Sequence, residues 1–267
     1  MMVNVDGVRA HAASGGVAIA DTGPVVILIH GAGMDATVWQ LQTRFLAHRG
    51  IRAVAVDLPG HGRSDGDALV SIEAMADWVA RFIDSAALGS VHAVGHSMGS
   101  FIVLELARRY PALTSSLTLC GTSTSMPVHP DLITGAAHDL AFAAALMAAW
   151  GHAQPAHMGL NPTPGLWMLG GARALVENSK PGVLATDFHA CMAYSGATAA
   201  ARMSTCPATV VIGLGDKMTP PKGGRALASA LTDAHVIELA NTGHSMMAEN
   251  PRAVRAAILA TARGEQR

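Results

Sequence analysis

Gly95-His96-Ser97-Met98-Gly99 follows the short apolar run Val91–Gly95 and opens a segment of helical character, Ser97–Arg109, that stops at Tyr110-Pro111. Strand, tight turn and helix in that order form the setting that a G-x-S-x-G nucleophile elbow requires. The glycines allow a turn that a Cβ would crowd. The serine is then lifted into solvent at a helix N-terminus, where backbone dipoles favour developing negative charge. A plainer reading makes Ser97 only a helix cap; the strand before it and the helix after it favour the elbow.

Upstream, Pro24-Val-Val-Ile-Leu-Ile-His30 is a continuous apolar run stopped by Gly31. Such a run suits an interior strand buried on both faces. Ala36–His48 is expected to be helical, with Val38, Leu41 and Phe45 facing inward, and Ile51–Asp57 to be the next strand. Ser71 is placed to cap a helix that buries Met75, Val79 and Ile83, with Glu73 and Asp77 near its favourable end. The first residues read as two short strands, Val3–Val8 and Val17–Ala20, joined around Ser14-Gly15-Gly16. Downstream, Leu113–Cys120 resumes strand character. Alternating strands and helices predict a parallel sheet with helices on both faces.

That rhythm breaks from Gly121 to Thr205. Asp139–Trp150 and Gly182–Tyr194 read as helices, and Leu160–Gly171 is rich in Pro and Gly. Alternation returns with Ala208–Gly213, Gly223–Leu231, Ala234–Leu239 and Met247–Ala260. The expected division is a core of residues 1–120 and 206–267 with a helical cap at 121–205.

Composition narrows the function classes. Of 267 residues, 50% are hydrophobic and 14% charged, with a formal net charge of −1, which argues for a packed globular body and against disorder. No basic face emerges to neutralise nucleic-acid phosphates. Neutral or weakly charged small molecules are the expected substrates, although net charge does not describe a pocket. The N-terminus lacks a basic segment followed by an apolar signal run, and Val25–Ile29 is far too short to span a bilayer. Cys120, Cys191 and Cys206 read as packing residues of a reduced, cytoplasmic protein without a disulfide framework.

A serine hydroxyl is a weak nucleophile until a base takes its proton. His244, in Asn241-Thr-Gly-His-Ser-Met246, lies beyond the last inferred strand, where a loop returns over the sheet. Asp216 ends an apolar strand and precedes Thr219-Pro220, placing a carboxylate where it can orient that imidazole. The order Ser97, Asp216, His244 is the one this architecture needs. His30-Gly31-Ala32-Gly33 follows another strand end. The backbone N–H groups of Ala32 and Met98 are the candidate oxyanion donors. His152 and His157 lack a third ligand and read as surface histidines, so no metal site is expected. Gly213-Leu-Gly215 lacks the rest of a nucleotide-binding fingerprint.

These landmarks together resemble the α/β-hydrolase superfamily, especially its capped serine esterase, lactonase and haloperoxidase-like branch. The resemblance rests on His30-Gly31, Asp57-Leu-Pro-Gly-His-Gly-Arg-Ser-Asp65, the Ser97 elbow, Gly215-Asp216 with Pro220, and Gly243-His244. It implies a mostly parallel eight-stranded sheet and a serine hydrolase that cleaves a small carboxylic ester or lactone through an acyl-enzyme, with no cofactor. It also implies that the Asp57–Asp65 loop braces the site entrance, with His61 structural. Ser97 departs from relatives that use aspartate there, the epoxide hydrolases and haloalkane dehalogenases. Carbon–carbon bond hydrolysis, acyl transfer or perhydrolysis, and a hydrolase-like small-ligand receptor remain as alternatives. Trp150, Trp167, Met168, Phe188, Met192 and Tyr194 are the candidates for an apolar pocket wall. The expected partner is a small-molecule ester or lactone, with no nucleic acid and no membrane, for a monomer or homodimer.

Overall fold

In the computed structural model, which describes residues 1–16 and 22–265, the chain opens with a hairpin of β1 (Met2–Val5) and β2 (Val8–Ala13). The expected single strand Val3–Val8 is cut by Asp6 and Gly7, whose φ values of 51° and 85° turn the backbone back on itself. The second expected strand, Val17–Ala20, lies outside the described residues. β3 (Val25–Ile29) is buried along its whole length. A 3-10 turn at Ala36–Trp39 then leads into α1 (Gln40–Ala47). Its buried face is Trp39, Gln42, Thr43 and Leu46 rather than Val38, Leu41 and Phe45, which are half-buried. Two polar residues of that face donate to backbone carbonyls, Gln42 Nε2 to Met247 at 2.9 Å and the Thr43 hydroxyl to Trp39 at 3.1 Å.

β4 (Arg52–Val56) is followed by α2 (Ile72–Ser85), which Ser71 caps by accepting from the Ala74 N–H and which buries Met75, Val79 and Ile83. β5 (Val91–His96), α3 (Met98–Arg109) and β6 (Thr114–Cys120) complete the first half of the sheet. An inserted helical cap comes next: α4 (Pro130–His138), α5 (Leu140–Trp150), α6 (Gln154–His157), α7 (Met168–Glu177), α8 (Val183–Ala193) and α9 (Ala197–Met203). The chain returns through β7 (Ala208–Gly213), α10 (Pro221–Ala228) and β8 (Ala234–Leu239). The expected terminal helix Met247–Ala260 is two, α11 (Met246–Glu249) and α12 (Pro251–Ala262). Pro251 cannot continue α11 but suits the first turn of α12, where Asn250 caps.

The eight strands run in the order β1-β2-β4-β3-β5-β6-β7-β8. β1, β2 and β4 pair antiparallel, and all other neighbours pair parallel. Side chains alternate across each strand. Val25, Ile27 and Ile29 therefore join the core against α2, α3 and the cap, while Val26 and Leu28 join the core against α1 and α12. This two-sided demand is why β3 has no polar position. Among the described residues, no helix is long and apolar enough to cross a membrane.

Candidate active site

Ser97 occupies the sharp turn between β5 and α3, with φ 52° and ψ −121°. A non-glycine residue in such a region carries about 1–3 kcal/mol of strain, tolerated only where the surroundings enforce it. Here they do. A Cβ on Gly95 would lie 2.1 Å from the Gly99 carbonyl oxygen, and one on Gly99 would lie 2.3 Å from the Ile29 carbonyl oxygen. The elbow is thus pressed against itself and against β3. The Ser97 N–H donates to the Cys120 carbonyl at 2.9 Å, and the Ser97 carbonyl accepts from the Ser100 N–H at 2.8 Å and hydroxyl at 2.6 Å.

Loops at the ends of β7 and β8 bring Asp216 and His244 together. His244 Nδ1 lies 2.8 Å from Asp216 Oδ2. The other carboxylate oxygen accepts from the backbone N–H groups of Met218 and Thr219, each at 2.8 Å, and the Thr219 hydroxyl donates to Oδ2 at 2.7 Å. Burial alone would raise the Asp216 carboxyl, but the His244 charge and these hydrogen bonds hold it below the ordinary carboxylate value. An ionised acceptor fixes the His244 proton on Nδ1 and leaves Nε2 free to accept. Beneath this ring, His96 Nε2 donates to the His244 carbonyl at 2.9 Å, the two rings lying 4.6 Å apart. Burial, reinforced by neighbouring His244, pushes His96 down to about 3, so it packs as a neutral ring. Glu249 ties the same loop to the cap, accepting from Gly243 N–H at 3.0 Å and Ala153 N–H at 2.8 Å.

A second buried pair lies across the cap seam. His61 Nε2 donates to Asp187 Oδ2 at 2.8 Å, and the Gly33 N–H donates to the same oxygen at 2.8 Å. His61 Nδ1 lies 2.9 Å from the Pro59 carbonyl, which can only accept, so both ring nitrogens donate and the ring is cationic. Burial alone would lower His61, but the hydrogen bond and charge of Asp187 raise it above the ordinary histidine value. Its ring neighbour His30 is pushed down to about 4 by burial and by the His61 charge. His30 Nδ1 donates to the Gly31 carbonyl, and its Nε2 accepts from the Leu58 N–H. The His30–Gly33 loop is thereby held from both sides.

Ala32 and Ser97 line a cavity of about 350 Å³ between sheet and cap, together with Trp150, Phe188, Lys217 and Met218. A smaller space of about 40 Å³ shares Ala32, Ser97, Phe188 and Met218, and adds His244. Met98 is buried at the first turn of α3. Of the expected pocket residues, Trp150 and Phe188 therefore face Ser97. Trp167 and Met168 line a separate hollow against α1, Met192 is exposed, and Tyr194 packs on Phe101 while donating to Glu105 Oε2 at 2.9 Å. His157 is exposed as expected, whereas His152 is buried, its Nδ1 2.8 Å from the Ala148 carbonyl. All three cysteines are free, Cys206 only partly buried.

Sequence reasoning missed Asp187, Thr219, His96 and Glu249. Asp187 carried a signal: it shares one helical face with Leu184, Phe188 and Cys191, all buried, and an acid on such a face needs a partner.

A family model described as the alpha/beta hydrolase family matches residues 26–257. Among curated proteins, a pimeloyl-acyl-carrier-protein methyl ester esterase from Methylococcus capsulatus is 41% identical over 105 residues, a match covering 38% of this chain and 38% of that protein. Among solved structures, the enol-lactonase from Burkholderia xenovorans LB400 superposes with a TM-score of 0.86 at 23% identity, over 98% of this chain and 99% of that one. A thermophilic esterase from Thermogutta terrifontis gives 0.83 at 23% identity, over 100% and 99%. At these identities the structural likeness speaks for the fold.

Proposed function

The chain belongs to the α/β-hydrolase family, and from that premise we propose that it is a serine hydrolase cleaving a small carboxylic ester or lactone through an acyl-enzyme on Ser97. One observation carries the reading. A serine on a strained elbow and a histidine steered by an ionised aspartate line the same small space under the cap. The names of the similar proteins, an esterase and an enol-lactonase among them, support ester-type substrates.

In this mechanism His244 Nε2 takes the Ser97 proton as Oγ attacks the carbonyl carbon. The oxygen that becomes negative is received by the Ala32 and Met98 N–H groups, each such donor supplying about 2.7–4 kcal/mol in the transition state. As the tetrahedral centre collapses, His244 returns the proton to the departing alcohol. His244 then deprotonates a water that attacks the acyl carbon, and the acid leaves with Ser97 restored. Residues 1–120 and 206–267 act as the core in this reading, and 121–205 as the cap that shields the reaction from bulk water.

The test is turnover of p-nitrophenyl esters and lactones by purified protein, with intact mass spectrometry of the quenched enzyme. A mass increase equal to the acyl group, absent from Ser97→Ala, is expected. Equal turnover by wild type and Ser97→Ala would refute the assignment. Product transfer to added alcohol or hydrogen peroxide would redirect it toward acyl transfer or perhydrolysis.

A further inference from the structure

The cavity beside Ser97 has an uneven chemical character. Its walls include Met126, Val128, Leu132, Trp150 and Phe188, and its described lining contains no carboxylate. Among the described residues, the only lysine or arginine that lines it is Lys217. The neighbouring histidine, His129, is occupied otherwise: its Nδ1 accepts from the Asp131 N–H at 3.2 Å and its ring stacks edge-on against Trp150.

Lys217 is held at the rim by its neighbours. Asp216 Oδ1 accepts from the N–H groups of Met218 and Thr219, a turn that fixes the backbone on either side of the lysine while the Asp216 carboxylate points away to His244. Among the described residues, no carboxylate pairs with the Lys217 ammonium. Lys180 at the same seam is different, since its Nζ is spent on the Ser64 carbonyl at 2.8 Å. Lys217 is exposed yet lines the cavity, so its unpaired ammonium stands where solvent meets apolar walls, and such walls concentrate its field on whatever enters.

Resting on the serine-hydrolase reading above, we propose that the acyl part of the substrate carries a carboxylate, received by Lys217 while its apolar chain lies along Trp150 and Phe188. The substrate class is an ester or lactone of a small dicarboxylic acid. A volume of about 350 Å³ is small for a ligand pocket and suits such a molecule better than a long-chain lipid. The near-neutral charge of the whole chain, which points to uncharged substrates, averages over a surface that this cavity does not share.

The test compares kcat/KM for mono-p-nitrophenyl adipate with that for p-nitrophenyl 6-methylheptanoate, in which an isopropyl group replaces the carboxylate. Wild type is expected to favour the adipate about tenfold at low salt, a preference that shrinks as ionic strength rises. Lys217→Gln should lower the adipate-to-heptanoate ratio about tenfold, Lys217→Glu further, and Lys217→Arg should restore most of it. A wild-type preference for the uncharged ester, or the same ratio in wild type and Lys217→Gln, overturns the proposal while leaving the serine-hydrolase reading intact. Turnover of neither ester, or equal turnover by Ser97→Ala, overturns both.

Discussion

Two buried His–Asp pairs of the same 2.8 Å length sit in this molecule, and their second nitrogens separate them. His244 gives Nδ1 to Asp216, which leaves Nε2 as its accepting nitrogen, and its ring lines the small space beside Ser97. His61 gives Nε2 to Asp187 and Nδ1 to the Pro59 carbonyl, so no acceptor site remains on the ring. The first arrangement leaves a base; the second leaves a cation locked between core and cap. The aspartates differ in the opposite sense. Asp216 has both oxygens satisfied, whereas Asp187 Oδ1 is buried without a partner among the described residues. The pair proposed to react therefore has its carboxylate fully hydrogen-bonded, and the bracing pair is closed at its imidazole and left incomplete at its carboxylate.

The sharpest way to break this comparison is Asp216→Asn, which keeps the shape but offers His244 the wrong hydrogen-bonding partner. A fall in kcat of about 10⁴-fold is expected, with the protein still folded by circular dichroism. Asp187→Ala should do the reverse, costing about 3–5 kcal/mol in urea unfolding because it strands a buried imidazolium. A kcat loss as deep as that of Asp216→Asn, without loss of stability, would erase the difference between the two pairs.

Gly33→Ala tests the seam from the core side. Its φ of +65° and a Cβ placed 2.7 Å from Leu184 Cδ1 predict a loss of about 1–3 kcal/mol, read as a lower Tm. The smallest effect is one of pH. Because His61 is raised above its ordinary 6.5, the stabilisation it contributes is complete below that value and is lost as pH rises through the higher folded value. The stability gap between wild type and His61→Gln should therefore narrow on the alkaline side in denaturant titrations. A gap that widens there would mean that His61 is neutral.

Much of this architecture was legible from the chain. β7 and β8 match their expected bounds: β7 is a buried run that ends at Gly213, and β8 begins directly after Asp233. Ser71 caps the helix it was expected to cap, and Asp139, expected as the first residue of the helix ending at Trp150, stands just before it as its cap, each accepting a backbone N–H. The juxtaposition of Asp216 with His244 followed from their places after two successive strands. Three things were not legible. The buried face of α1 was misjudged because Gln42 and Thr43 look like solvent residues until Met247 and Trp39 supply their acceptors. The opening hairpin was misplaced because Asp6-Gly7 was read as part of a strand. The His61–Asp187 pair escaped because its partners lie 126 residues apart, and no local pattern joins a loop histidine to a helix aspartate.

The positive φ of Ser97 has an evolutionary consequence. Glycine would adopt that backbone without strain, so a chain shaped only for thermal endurance would drift toward glycine at position 97 and lose the hydroxyl as it did so. In the proposed mechanism the sturdier protein is a silent one, and at position 97 stability and chemistry pull in opposite directions.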